Sequence, residues 1–159
     1  MAYLDWLEQT LAARLAAKPI GEPVAVRAFF QLSEDHGLLQ PALAEAAAAA
    51  ARWLNARPTR LFAQGGAAAG YVSALVEFAG GQTALLTSEA RHPNGPSLGE
   101  SEVLVLILGN HGTLRYDDQP GAGGISFPAL PTTSARYQPW TSAIERSLRT
   151  GRAVEVTGA

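Results

Sequence analysis

Apolar residues recur along this chain with two periods, and the switches between them mark out its elements. Tyr3, Leu7, Leu11 and Leu15 fall on every fourth position with Leu4 alongside, predicting a helix with one apolar stripe that ends at Pro19 and Gly21. In "EPVAVRAFFQL" the period drops to two. Val24, Val26, Ala28, Phe30 and Leu32 fall on one side of a predicted strand, Arg27 and Gln31 on the other, with Phe29 intruding on the polar side. A second helix is predicted in "HGLLQPALAEAAAAAARWLNARP", His36 to Pro58: Pro41 suits its first turn, and Asn55 with Pro58 ends it. Its apolar face runs from Leu39 and Leu43 through Ala46 and Ala50 to Trp53. From Arg60 to Ala90 the pattern gives a short strand, a Gly/Ala loop ("QGGAAAG") and a hairpin turning at Gly80-Gly81. "EVLVLILGNHGTLRYDD" repeats the device, with Asn110 to Gly112 as the turn. Asp117 to Pro139, rich in Gly, Pro, Ser and Thr, reads mainly as loop. A last helix carries Trp140, Ile144 and Leu148, stops at Gly151 and hands over to a short "AVEV" strand.

Helices on one side of a hairpin-built sheet make an α+β layer fold: an open, mostly antiparallel β-sheet with helices on one face, in a single domain spanning residues 1–159. The other face poses the difficulty. "VLVLIL", Val103 to Leu108, is apolar at every position, so both faces of that strand demand burial. Too few helical residues remain to cover both. A standard interface buries about 800 Å² per partner, and at about 25 cal/mol/Å² so much apolar area is costly to leave wet. The second face is therefore expected in an oligomer interface, sheet against sheet in a homodimer; the alternative is that the loop from 117 to 139 folds back over it.

Composition narrows the partners. The 159 residues carry a net charge of -2, with a pI of 5.9 and a mean hydropathy of +0.04. No Lys/Arg cluster offsets that balance, so neither nucleic acid nor an anionic membrane is an expected partner. Without cysteine, disulfide and thiolate chemistry are excluded. Asp5 and Glu8 interrupt the first apolar segment, which argues against a signal or spanning helix and makes a cytoplasmic location the expectation.

Candidate chemistry is sparse. Gly65, Gly66 and Gly70 lack G-x-G-x-x-G spacing and lead into a strand, Tyr71 stands where a phosphate loop needs Lys, and Gly121, Gly123 and Gly124 sit in the Pro-rich loop. His36, His92 and His111 lie in separate segments without metal-ligand spacing, and no serine sits in a nucleophile elbow. No metal or cofactor is therefore expected. "SEARH", Ser88 to His92, is where acid, base and imidazole converge at a strand end. Glu89, Arg91 and His92, with Arg27 and Gln31 on the polar side of the first strand, are the candidate ligand-binding residues; a surface ion pair is the competing reading for Glu89 and Arg91.

Four phrases in order carry a family resemblance. "KPIGEPVAVRAFF", "VSALVEFAGGQTALLTSEAR", "LILGNHGTLRYDD" and "IERSLRTGRAVEV" resemble successive segments of the C-terminal domain of the glucose-fructose oxidoreductase / inositol dehydrogenase / MocA family. The resemblance runs from about Leu4 to Val156, apart from the loop after Asp118. It implies enzymes whose N-terminal Rossmann half binds NAD(P) and supplies a catalytic Lys; this chain begins where that half would end. It also implies an Asp, a His and a second Asp on the helix that ends in Arg52-Trp53-Leu54. The matching positions here are Ala42, Ala46 and Ala49, which can neither shuttle a proton nor hold a hydroxyl. The resulting expectation is a non-catalytic oxidoreductase-like domain acting as an oligomerising and binding module. The alternative is a substrate-binding subunit of a split NAD(P)-dependent oxidoreductase, with a Rossmann-domain protein as partner and Glu89, Arg91 or His92 replacing the acid/base. A carrier holding an apolar small-molecule ligand between sheet and alanine helix is a third reading.

Overall fold

A computed structural model describes residues 3–17, 19–32, 36–90, 103–118 and 135–159. The period-2 segments become strands β1 (Pro23–Leu32), β2 (Pro58–Gly66), β3 (Tyr71–Phe78), β4 (Thr83–Ala90), β5 (Val103–Gly109), β6 (Thr113–Asp118) and β7 (Val154–Glu155). They form one open seven-stranded sheet in the order β6-β5-β1-β4-β3-β2-β7. Both expected hairpins are present, β3 with β4 and β5 with β6. β2, expected to be short, runs for nine residues.

One pairing was not legible in the sequence: β1 and β4 lie side by side in parallel. Two antiparallel steps, β2 to β3 and β3 to β4, leave β4 pointing the same way as β2. β1 and β2 are therefore parallel too, and parallel strands need a crossover. The alanine-rich helix supplies it.

The helices are α1 (Tyr3–Ala16), α2 (Leu39–Trp53) and α3 (Gln138–Thr150). α2 packs on β4, β3 and β1; α3 packs on β2; α1 lies on α2. Beneath them lies a single core that includes Val26, Ala28, Phe30 and Leu32 of β1, Val72 and Val76 of β3, and Val103, Val105 and Ile107 of β5. Val24 departs from its expected side. The β1–β5 register shifts between Pro23 and Ala25, and Val24 turns outward, 45% exposed.

α2 is enclosed on nearly every side, since each residue from Ala42 to Ala50, Glu45 included, is buried. Methyl side chains allow that close approach and favour the helix intrinsically. A 3-10 turn, His36–Leu38, leads into it, and Asn55 ends it in the left-handed region at φ 47°, where Asn is tolerated. Glu8 of α1 ties the two helices together. Its carboxylate pairs with Arg52 and, at 3.1 Å, with Arg136, while its carbonyl accepts the Trp53 indole N–H at 3.3 Å.

Two further ties hold the layers in place. The β5–β6 turn docks on the segment entering β1: the Glu22 N–H donates to Asn110 Oδ1 at 2.9 Å and the His111 N–H to the Ile20 carbonyl at 3.0 Å. Gly109 is required there, because a Cβ would stand 2.1 Å from the Ile20 oxygen. Ser147 of α3, fully buried, accepts the Ala63 N–H of β2 at 2.8 Å and donates to the Arg152 carbonyl at 2.7 Å.

Removing that hydroxyl leaves a buried N–H without a partner, a loss of about 1–3 kcal/mol. Ser147→Ala should lower the urea midpoint accordingly with an unchanged m-value. Ser142→Ala, on the exposed side of the same helix, should change stability by less than about 0.5 kcal/mol.

Candidate functional site

The face of the sheet turned away from the helices is the candidate site, and the strand register assembles it. β1 presents Ala25, Arg27, Phe29 and Gln31, which lie beside Thr83, Leu85, Thr87 and Glu89 of β4. On the other flank Ala25, Arg27 and Phe29 lie beside Leu108, Leu106 and Leu104 of β5. Leu75 of β3 adjoins Leu85, and Phe62 of β2 adjoins Leu75. Leu106, Arg27, Leu85, Leu75 and Phe62 thus form one row across five strands, apolar except for Arg27.

That row is open. Leu85 is 44% exposed, Leu75 41%, Tyr71 38%, and Phe62 and Leu108 37% each. Scattered exposed leucines are ordinary, but a contiguous field on one face marks an interaction surface. Six strands about 4.8 Å apart, each with about seven residues of about 3.3 Å, give a face of about 650 Å² in plan. One partner of a standard interface contributes about 800 Å². The expectation for "VLVLIL" meets the same geometry: Val103, Val105 and Ile107 point into the core, while Leu104, Leu106 and Leu108 point to the open face.

A polar band borders the apolar row. The Ser73 and Thr87 hydroxyls bond each other at 2.9 Å, and at the strand ends Gln31, Glu89 and Tyr71 stand side by side. Of the predicted ligand-binding residues, the structure brings Gln31 and Glu89 together and sets Arg27 four positions back along β1. Arg91 and His92 lie outside the described residues, as does the stretch 119–134 of the loop expected to fold back. Phe62, Tyr71, Leu75 and Leu85 were missed as face residues. Their signal was present, because "YVSALVEF" and "TALLTSEA" alternate yet carry large apolar side chains on both parities.

The glycine cluster spans the end of β2, at Gly65 and Gly66, and the short 3-10 turn Ala67–Ala69 that leads through Gly70 into β3. Gly65 and Gly70 have φ of 101° and 74°, and a Cβ on Gly65 would meet the Tyr71 carbonyl at 2.3 Å. His36 braces this loop, donating from Nδ1 to the Ala67 carbonyl at 2.6 Å. Among the described residues no group of three or more His, Asp or Glu side chains could hold a metal ion. A cavity of about 610 Å³ lies beside α3 and Thr157, and another of about 290 Å³ beside Glu22, Asn55 and Gln82. None of Arg27, Gln31 and Glu89 lines either cavity.

No protein-family model matches the sequence, and no curated protein matches it. The fold has clear counterparts among solved structures. A myo-inositol dehydrogenase from Lactobacillus casei in complex with NAD(H) and myo-inositol superposes with a TM-score of 0.70 at 14% identity, over 96% of this chain and 59% of that one. A scyllo-inositol dehydrogenase from the same organism, with bound NAD(H) and scyllo-inositol, gives 0.67 at 12% identity, over 95% of this chain and 62% of its own. For a myo-inositol dehydrogenase from Corynebacterium glutamicum the values are 0.68 and 15%, over 96% and 62%. This chain has the fold of one part of an inositol dehydrogenase. It spans about six-tenths of the length of these enzymes.

The three alanines at the positions implied by the resemblance are core residues. Ala42 and Ala46 are fully buried and Ala49 is 1% exposed, all within the hydrophobic cluster. Ala46→His should therefore destabilise the protein by about 1–3 kcal/mol through overpacking, with a further cost for burying the imidazole. Thermal unfolding reads this directly, and an unchanged midpoint would show that α2 opens onto free space at Ala46.

Proposed function

We propose that this chain is a non-catalytic, oxidoreductase-like module that oligomerises and binds through its open sheet face, with a second copy of itself as the partner. The adjoining exposed side chains Leu85, Leu75 and Phe62, in a row that Arg27 and the partly buried Leu106 continue across the sheet, carry this reading. The alanines at 42, 46 and 49 support the absence of catalysis, since general acid–base chemistry worth about 10²- to 10⁴-fold needs a titratable group there. Among the described residues no helix is long and apolar enough to cross a membrane.

Light scattering should give a mass of twice 16.7 kDa for the chain. Leu75→Asp combined with Leu85→Asp should halve it without altering the far-UV circular dichroism. A wild-type protein that stays monomeric when concentrated overturns the proposal.

The fold likeness to NAD(H)-bound dehydrogenases supports a second reading, in which the chain is the substrate-side subunit of a split enzyme and Gln31, Glu89 and Tyr71 face a separate Rossmann-domain protein. Co-purification of such a partner with NAD(P)-dependent turnover by the mixture would favour this second reading.

A further inference from the structure

Among the described residues the open face carries seven charged side chains, distributed unevenly over its strands. Five of them lie at the margins, Arg115 and Asp117 on β6 and Glu77, Arg60 and Glu155 on β3, β2 and β7, where each arginine has a carboxylate partner within the molecule. On β6 the Arg115 Nη2–Asp117 Oδ2 distance is 2.5 Å, and across β2 and β3 the Arg60 Nη1–Glu77 Oε2 distance is 3.6 Å. The other two, Arg27 and Glu89, lie on the central strands β1 and β4. Neither makes an ion pair or side-chain hydrogen bond with a described residue. Arg27 is flanked by Leu106 and Leu85, and Glu89 by Gln31 and Tyr71. Four residues of strand, about 13 Å, separate their levels on the sheet.

Covering this face with an apolar surface would leave a guanidinium among leucines and a carboxylate four residues further along the sheet, both desolvated and unpaired, which is strongly unfavourable. A two-fold assembly avoids this, because in an isologous interface residue i meets residue j and j meets i. We infer that Arg27 of each copy pairs with Glu89 of the second copy, and that these two ion pairs set the register of the sheet-to-sheet dimer. The inference rests on the oligomeric reading above and specifies its geometry.

The two-fold axis then lies between the sheets and crosses the strands midway between the two charges, at the level of Phe29 and Thr87. The paired margins stay outside this exchange. An axis along Arg27's own row, which would match leucine with leucine, brings Arg27 toward its own copy. Like charge so placed selects against that register.

Sedimentation equilibrium on wild type, Arg27→Glu, Glu89→Arg and the double exchange tests the pairing. Each single reversal places like charges together twice per dimer and should weaken association about 100-fold or more. The double exchange should return it to within about threefold of wild type, the additivity error of such cycles. Circular dichroism checks that the variants fold. Should a reversal fail to fold, Arg27→Gln, Glu89→Gln and their combination complete an equivalent cycle, in which non-additive losses support the contact. Dimers indifferent to either reversal, a double exchange that restores nothing, or additive losses in the glutamine cycle would overturn the pairing and leave the sheet-face dimer standing. A monomeric wild type would overturn the dimer itself.

Discussion

Alternation along a strand sends successive side chains to opposite faces of a sheet, so a sheet with apolar residues on both parities needs two covers. Here the helices provide one. α2 and α3 close over Val72, Val76, Leu61 and Leu86 so fully that these side chains are shut off from solvent. On the other parity Leu85, Leu75, Phe62 and Leu108 keep more than a third of their surface exposed. That asymmetry organises the rest of the molecule: crossover and helices lie on one side, and an exposed apolar field is left on the other.

The alanine helix is the counterpart of that arrangement. As the crossover between two parallel strands it must lie close against the sheet, and a run of methyl groups from Ala46 to Ala50 lets it do so. Ala42, Ala46 and Ala49 of this helix stand at the positions where the family resemblance implies two carboxylates and an imidazole. Arg52 and Trp53, which end the helix, serve structure here by clasping Glu8 of α1.

Local chemistry made much of the fold legible. Gly80-Gly81 and Asn110 to Gly112 announce their turns, Gly151 its helix end, and the four-residue apolar spacing α1 and α3. What escaped depends on pairing between distant segments. The parallel contact of β1 with β4 needs the whole path through α2, β2 and β3 to be known. The outward turn of Val24 comes from a register shift against β5. The candidate residues suffered in the same way: Gln31 and Glu89, far apart in sequence, are neighbours, whereas Arg27 and Gln31, on one strand, stand at different levels of the face. "VLVLIL" drew attention to two-sided burial because it is apolar throughout, while Leu75 and Leu85, interleaved with Ser, Thr and Glu, become conspicuous only when the register sets them side by side.

The claim underlying this account is that the leucine face is covered when the chain assembles. Hydroxyl-radical footprinting across a range of protein concentrations measures it side chain by side chain. The account predicts that Phe62, Tyr71, Leu75 and Leu85 lose reactivity together as the protein is concentrated, while the half-buried Leu148 of α3 stays constant. Reactivity at those four residues that stays at its dilute value in concentrated solution would contradict it.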